Sequence, residues 1–262
     1  MNLMHNYWCF TSAIPHHICD QITEMGLTQM IEQKNKHGAG AITGSTGDWR
    51  QKKQIDTSLP TNNKTVEELV ASGVDTATTY VRDSNVVFLD NPELYKLVWP
   101  FIHTANKNAD WNFEWDYTEE MQFTKYGIDQ FYGWHTDSNS RPFQKFDPAV
   151  DEVHKNPDGT LFVNQLGDPM PEDHNKTSNP SMINKIRKLS VTISLNDPDE
   201  YDGGNLQFDF GPHKEIRYHT CTEIRPKGSV IVFPSHVYHQ VTPVTRGTRY
   251  SLVCWNLGAA FR

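Results

Sequence analysis

A histidine and an aspartate stand two residues apart in the stretch FYGWHTDSNS, at positions 131–140. In a β-strand, residues i and i+2 point to the same face. His135 and Asp137 would then direct an imidazole nitrogen and a carboxylate to one point. Such a pair can begin a metal site but cannot complete it. We therefore expect a third ligand from a later segment of the chain.

The segment FPSHVYHQVTPVTRGTRYSLVCW (233–255) offers two histidines, His236 and His239, and beyond them two arginines, Arg246 and Arg249. Two histidines and one carboxylate on one face of iron leave three positions open, as non-haem Fe(II) oxygenases require. A 2-oxo acid would take two positions and O2 the third. An arginine fork would then pair with the far carboxylate of the acid. These residue types alone do not decide between the two histidines or the two arginines.

These motifs resemble the Fe(II)/2-oxoglutarate-dependent dioxygenase superfamily, and within it the prolyl 4-hydroxylase-like branch. That family shows His-x-Asp, a distal histidine and, ten residues later, an arginine. HTD, His239 and Arg249 fit this pattern, whereas His236 has no arginine at that offset. The segments LSVTISLNDPDEYDGGNLQF and RPKGSVIVFPS are also similar to the family's strands. The specific motifs lie within 121–138 and 188–256.

The resemblance implies a role for nine residues. Those expected to bind Fe(II) and form the catalytic centre are His135, Asp137 and His239. Those expected to bind 2-oxoglutarate are Arg249, Tyr126 and Ser251. Those expected to line the substrate pocket are Tyr132, Trp255 and Val241. Ser194 departs from the pattern, because some relatives carry there a tyrosine that binds the cosubstrate.

The implied reaction consumes O2 and 2-oxoglutarate, releases succinate and CO2, and hydroxylates a prolyl residue of a peptide or protein, with ascorbate in a supporting role. Asp137 favours hydroxylation, since relatives that halogenate lack this carboxylate. Three alternatives stay open: a hydroxylase of a free amino acid or other small molecule, a nucleic-acid demethylase or hydroxylase, and a non-enzymatic β-barrel binding module. The net charge of -8 argues against nucleic acid, because phosphate contacts need clustered Lys and Arg. The open coordination sphere argues against a structural metal.

Composition and length predict one large domain of 262 residues, with 37% hydrophobic and 11% aromatic residues to form its core. The four cysteines are widely spread with no CxxC, which indicates free thiols in a reducing compartment. The sequence shows neither a basic-then-apolar leader nor an apolar run approaching about 18 residues. We therefore expect a cytoplasmic protein that does not enter the membrane.

The hydrophobic pattern predicts helices over 15–35, 65–72 and 91–109, with Asn91 as a cap, and a strand over 85–89. A Gly/Ser/Thr-rich loop is expected over 38–48. From about residue 120 the chain breaks into short β-rich segments, TEIRPKG among them, separated by turn residues, which predicts a sandwich or barrel.

The expected fold is mainly β with flanking α-helices around a double-stranded β-helix, a jelly-roll or cupin-like core. This core would span 119–260, with 1–118 as helical and mixed support. A polar segment over about 138–186 interrupts it. So long a loop is usually functional, so we expect it at the substrate mouth, with a disordered insertion as the alternative.

Overall fold

The computed structural model describes residues 5–37, 50–51, 79–80, 82–138, 141–153, 155, 160–161, 169–173, 175–211 and 217–261. The predicted loop over 38–48 and helix over 65–72 lie outside these residues. Within them are two helices, α1 (His16–His37) and α2 (Pro92–Asn108). The strands, in chain order, are β1 (Trp8–Phe10), β2 (Arg50–Gln51), β3 (Thr79–Tyr80), β4 (Arg82–Asp83), β5 (Asn85–Leu89), β6 (Tyr117–Thr118), β7 (Met121–Tyr126), β8 (Phe131–His135), β9 (Gln144–Lys145), β10 (Lys176–Thr177), β11 (Lys185–Ser194), β12 (Tyr201–Gly203), β13 (Leu206–Asp209), β14 (Tyr218–Thr220), β15 (Val230–Pro234), β16 (Tyr238–Val241), β17 (Val244–Gly247) and β18 (Arg249–Ala259).

Two antiparallel sheets form the centre of the fold. The larger has the order β1-β15-β11-β18-β7-β5, with β6 also paired to β18, and the smaller has the order β14-β13-β16-β8-β4. In chain order, the strands β7, β8, β11, β13, β15, β16 and β18 lie alternately in the larger and the smaller sheet, as in a jelly roll. The predicted fold class, mainly β with flanking helices around a double-stranded β-helix, is confirmed.

The two described helices cover the outer face of the larger sheet. Helix α1 buries Cys19, Ile22 and Met30, and a Cβ on Gly26 would come within 2.3 Å of the Phe123 ring. Glycine at this point therefore allows the helix to approach β7 closely. Helix α2 begins as predicted, because the side chain of Asn91 accepts a hydrogen bond from the Glu93 amide at 2.9 Å. In the part of the chain that the structure describes, no helix is long and apolar enough to cross a membrane.

Most predicted β-rich segments form strands, but TEIRPKG does not. Its first residues, Thr222–Ile224, form a short 3-10 helix instead. The turn that follows ends at Gly228, whose φ of +79° lies in the left-handed region that favours glycine. The chain thus reverses here, immediately before it enters β15.

The segment over 138–186 is anchored to the larger sheet where the structure describes it. Strands β9 and β10 pair in parallel, and Lys176 forms an ion pair with Asp151. Phe143, 5% exposed, packs in one cluster with Trp255 and Leu257 of β18. This segment therefore supports a wall that faces the space between the sheets.

Candidate active site

The space between the two sheets is a cavity that opens to solvent. Strands from both sheets line it, and all nine residues singled out in the sequence are among its lining residues. The full lining is Gln122, Tyr126, Tyr132, His135, Asp137, Val191, Thr192, Leu206, Phe233, His239, Val241, Arg249, Ser251, Val253 and Trp255.

Two of the expected metal ligands face each other across neighbouring strands. His135 ends β8 and pairs directly with His239 of β16. The sequence predicted that Asp137 lies on the same strand as His135. This prediction is wrong, because β8 ends at His135. The amide of Asp137 instead donates to the carbonyl of Ser235 at 2.9 Å, and this bond turns the chain so that the carboxylate meets both imidazoles.

Backbone carbonyls orient both imidazole rings. Nδ1 of His135 lies 2.7 Å from the carbonyl oxygen of Gly133, and Nδ1 of His239 lies 2.9 Å from that of Val237. A carbonyl only accepts, so each Nδ1 carries the hydrogen and each Nε2 keeps its lone pair. The Nε2 atoms lie 3.5 and 3.6 Å from the two carboxylate oxygens of Asp137.

This donor set fits a metal ion. One ligand atom from each of His135, Asp137 and His239 lies within 4.8 Å of the others. Two imidazole nitrogens and one carboxylate oxygen form the facial triad that non-haem Fe(II) oxygenases use. The three residues could therefore hold Fe(II).

Protonation states in the cluster suit metal binding. Burial alone would raise the pKa of the Asp137 carboxyl, but His239, His135 and Arg187 outweigh burial and hold that pKa well below its usual range. Burial, together with the neighbouring His135, lowers the pKa of His239 to about 4. Near neutral pH, Asp137 is therefore ionised and His239 is neutral, as ligands must be.

An irregularity in β8 brings Tyr132 to the cluster. The pairing shifts between His239↔His135 and Val241↔Tyr132, so three steps along β8 oppose two along β16. This β-bulge breaks the alternation of faces, and two residues an odd number apart both enter the cavity. The rings of Tyr132 and His135 stack with centroids 3.5 Å apart.

The lining of the cavity also carries a buried positive charge. Arg249 is 2% exposed, and its guanidinium donates to Ser251 Oγ at 3.2 Å and lies 5.4 Å from the ring centroid of Tyr126. Among the described residues, no carboxylate forms an ion pair with it. Gly204, with φ +57°, makes room, since a Cβ there would lie 2.8 Å from Arg249 Cδ. The arrangement presents an unpaired arginine fork to a ligand in the cavity.

The alternative histidine and the alternative arginine, His236 and Arg246, lie outside the cavity. His236 is exposed in the turn between β15 and β16, with Phe113 and Phe261 as its ring neighbours. Arg246 is exposed and pairs with Asp202 at 2.6 Å. The structure thus separates them from the cavity, in agreement with the ten-residue offset.

Several residues near the cavity were missed in the sequence. Gln122 shares the inward face of β7 with Tyr126, so strand alternation could have found it. Thr192 of β11, rather than Ser194, lines the cavity. The role of Arg187 was not predictable, because its partner Glu119 is distant in the sequence. Nε and Nη2 of Arg187 donate to the two carboxylate oxygens of Glu119, each at 2.6 Å.

Arg187 ties together three parts of the site. Its guanidinium carbon lies 4.1 Å from the centroid of the Trp255 ring. Its Nη1 donates to the backbone carbonyl of Asp137 at 3.5 Å. On the smaller sheet, the buried Arg82 lies 4.6 Å from the ring centroid of Tyr132 and donates to Gln122. Both walls of the cavity are therefore braced by guanidinium groups.

The model of the family "2OG-Fe(II) oxygenase superfamily" matches residues 121–256, slightly more than half of the chain. The chain belongs to this superfamily. Members of this superfamily are dioxygenases that use Fe(II) and 2-oxoglutarate. The donor set of His135, Asp137 and His239 fits the metal ion of this pair. The resemblance noted in the sequence is confirmed.

Curated relatives of this oxygenase match over shorter segments. A PKHD-type hydroxylase of Maricaulis maris (strain MCS10) is 47% identical over 68 residues, which are 26% of this chain and 28% of the relative. A PKHD-type hydroxylase of Xylella fastidiosa (strain M12) is 40% identical over 89 residues, 33% of each chain. The oxygenase spans no more than about a third of the length of the curated relatives it matches.

One solved structure shares the fold over nearly the whole oxygenase. It is a viral collagen prolyl hydroxylase from Paramecium bursaria Chlorella virus-1, solved as a 2OG complex. The TM-score is 0.51, the sequence identity is 14%, and 98% of both chains is covered. At this identity the likeness shows the fold alone.

Proposed function

We propose that the protein is an Fe(II)- and 2-oxoglutarate-dependent hydroxylase of prolyl residues in a peptide or protein. One observation carries the proposal. A two-histidine, one-carboxylate cluster lines the cavity, and the same cavity is lined by a buried arginine without a carboxylate partner among the described residues. A dicarboxylate that chelates iron with one end needs such a partner for its other end.

In this proposal His135, Asp137 and His239 hold Fe(II). When bound, iron and 2-oxoglutarate supply the oxidising chemistry, in which O2 delivers one oxygen atom to the substrate C–H bond and one to succinate as CO2 is released. Near neutral pH Asp137 is ionised and His239 is neutral, because their pKa values are lowered, and the carbonyls of Gly133 and Val237 fix the ring orientations of the two histidines. The ionised carboxylate takes the third protein position, which favours hydroxylation over halogenation.

Arg249, Ser251 and Tyr126 are proposed to bind the far carboxylate of 2-oxoglutarate. The Arg249 fork offers parallel N–H donors, and Ser251 and Tyr126 add hydroxyl donors from the same end of the cavity. Hydrophobic side chains around this charge exclude water, which strengthens a charge-assisted hydrogen bond. Val253, between this end and Trp255 on β18, contributes to that lining.

Tyr132, Trp255 and Val241 are proposed to line the pocket of the reacting residue. The Trp255 ring, against which Arg187 packs, and the Val241 side chain offer apolar surface to a proline ring, and Tyr132 closes the pocket beside His135. The names of the relatives, a PKHD-type hydroxylase and a collagen prolyl hydroxylase, support a prolyl substrate. The 138–186 segment is proposed to border the same mouth, since it leaves directly after Asp137.

We also propose a cytoplasmic location. All four cysteines are free thiols, three of them buried, which suits a reducing compartment. Ascorbate is proposed as the supporting reductant that returns iron to Fe(II) after turnover without substrate.

The test measures succinate from 2-oxoglutarate by anaerobically Fe(II)-loaded protein after exposure to O2, with a library of proline-containing peptides, with free amino acids, or with neither. We expect peptide stimulation and a gain of one oxygen atom on proline. His135→Ala should abolish succinate formation, and His236→Ala, a neighbouring exposed histidine, is the matched control that should retain it. Stimulation by a free amino acid alone would favour the small-molecule alternative, and absence of both iron and 2-oxoglutarate binding would return the chain to a binding module.

A further inference from the structure

The outer face of the smaller sheet carries three aromatic residues at one end. Trp134 is the penultimate residue of β8, Tyr238 is the first of β16, and Tyr218 is the first of β14. We name these three residues the aromatic strip. Asp209, the last residue of β13, pairs with both tyrosines in register and joins the row between them.

The rings of the aromatic strip contact one another and remain open to solvent. Trp134 lies 5.7 Å from Tyr238, nearly parallel, and 5.4 Å from Tyr218. Tyr238 is 40% exposed and Tyr218 is 53% exposed. Neither tyrosine hydroxyl has a hydrogen-bond partner among the described residues. Large apolar groups grouped at a surface in this way mark an interaction site more often than single exposed side chains do.

The next row along the same strands is polar. Gln240 donates to Gln207 at 2.7 Å, and Gln207 donates to Thr220 at 3.0 Å. Polar side chains such as these three are usual on the solvent-facing side of an antiparallel sheet. The aromatic strip is therefore a feature of the rim rather than of the whole face.

This rim is the one that holds the candidate metal site. Trp134 immediately precedes His135, and Tyr238 immediately precedes His239, with the side chains of each pair on opposite faces. Asp137 is held at the same end by the carbonyl of Ser235, just before β16 begins. A chain that leaves the cavity over this edge would pass onto the aromatic strip.

The charge of the row is balanced. Asp209 forms an ion pair with Arg217 at 3.0 Å, and the Arg217 guanidinium carbon lies 4.8 Å from the Tyr218 ring centroid. The surface therefore offers aromatic faces and hydroxyl donors without excess charge. Polyproline II segments suit such a surface, because their rings pack on aromatic side chains and their carbonyls have no internal partners.

We propose that the aromatic strip docks an extended, proline-containing segment of the substrate polypeptide, next to the residue that enters the cavity. This inference rests on the proposed prolyl-hydroxylase function and deepens it. It assigns the strip a share of substrate recognition outside the cavity, so that longer peptides bind more tightly than short ones.

The test compares a 5-residue proline-containing peptide with a 15-residue peptide that has the same centre. In the wild type we expect the KM of the long peptide to be about tenfold lower, since buried aromatic contacts commonly contribute a factor of this size. In Tyr218→Thr/Tyr238→Thr this ratio should fall towards one. The matched control is Gln207→Thr, in the polar row of the same face, which should retain the ratio.

Direct binding of the labelled 15-residue peptide, by fluorescence anisotropy, separates this inference from the proposed function. Hydroxylation of both peptides with an unchanged KM ratio in the double variant would overturn the strip and leave the function standing. Peptide binding that depends on the two tyrosines, without hydroxylation, would support the strip and refute the function. The peptide assignment would be overturned if the long peptide did not bind to the wild type. It would also be overturned if the wild type bound a soluble oligosaccharide instead of the peptide and the double variant lost that binding.

Discussion

Replacement of Arg249 should separate cosubstrate binding from folding. The side chain is 2% exposed and donates one hydrogen bond, to Ser251, in the described structure. A buried charge with so few partners costs stability until a ligand compensates it. The substitution Arg249→Met keeps the length of the side chain and removes its charge. We therefore expect the ligand-free variant to be at least as stable as the wild type, with a gain in the free energy of unfolding of up to about 2 kcal/mol.

The effect on ligand-bound protein should have the opposite sign. At 2-oxoglutarate one hundred times above its Kd, the wild type gains about 2.7 kcal/mol, or about 5–10 °C in Tm for a chain of this size. Loss of two charge-assisted hydrogen bonds at about 1.5–3 kcal/mol each weakens binding at least about a hundredfold. The same ligand concentration should then raise the Tm of Arg249→Met by no more than about 1–2 °C.

The assay is thermal unfolding in Mn(II), a redox-stable stand-in for iron, with and without 2-oxoglutarate. Arg246→Met is the matched control, because Arg246 lies three residues earlier, is exposed and pairs with Asp202. Its ligand-induced shift should equal that of the wild type. The reasoning is refuted if Arg249→Met keeps the wild-type shift, or if the variant without ligand is less stable than the wild type.

Three further predictions concern the cavity and its support. Gly204→Ala should raise the KM for 2-oxoglutarate at least about fivefold, because the new Cβ strains a positive φ and displaces Arg249; an unchanged KM would show that the guanidinium tolerates the shift. EDTA should lower the Tm of metal-loaded wild type but not that of His135→Ala, as measured by calorimetry, since the variant lacks one ligand; equal responses would place the metal elsewhere. Phe143→Ala should cost about 3 kcal/mol in urea unfolding, by opening a space beside Trp255, and should raise the KM of peptide more than that of 2-oxoglutarate; a loss below about 1 kcal/mol would mean that the 138–186 segment does not support that wall.

The placement of the candidate site was readable from the sequence where strand alternation operates. Arg249, Ser251 and Trp255 share one parity on β18, and all three line the cavity. The ten-residue offset selected His239 and Arg249 over His236 and Arg246, and the structure brings the selected pair into the cavity. Their roles in binding stay predictions.

Alternation failed where the backbone departs from a regular strand. Asp137 follows the end of β8, and its direction comes from the bond to Ser235, about one hundred positions later in the chain. The bulge in β8 that turns Tyr132 inward has no sequence signal beyond the neighbouring Gly133. The pairing of Arg187 with Glu119 depends on strands whose order no local pattern specifies.

The helical prediction shows the same limit. The apolar residues of 15–35 gave the existence of α1, but not its buried face. Ile31, one of these apolar residues, is 61% exposed, whereas Gly26 sits against Phe123. Close approach to the sheet, rather than side-chain hydrophobicity alone, decides which face is buried.

The pairing of His135 with His239 also has a consequence for folding order. These two residues are about one hundred positions apart, so their contact closes a long loop and forms only when β8 and β16 pair within the smaller sheet. A chain still in synthesis cannot bind iron at this cluster until β16 has emerged and joined β8. Metal bound at this cluster would therefore stabilise one long-range strand pairing of the fold, because it binds only when β8 and β16 lie side by side.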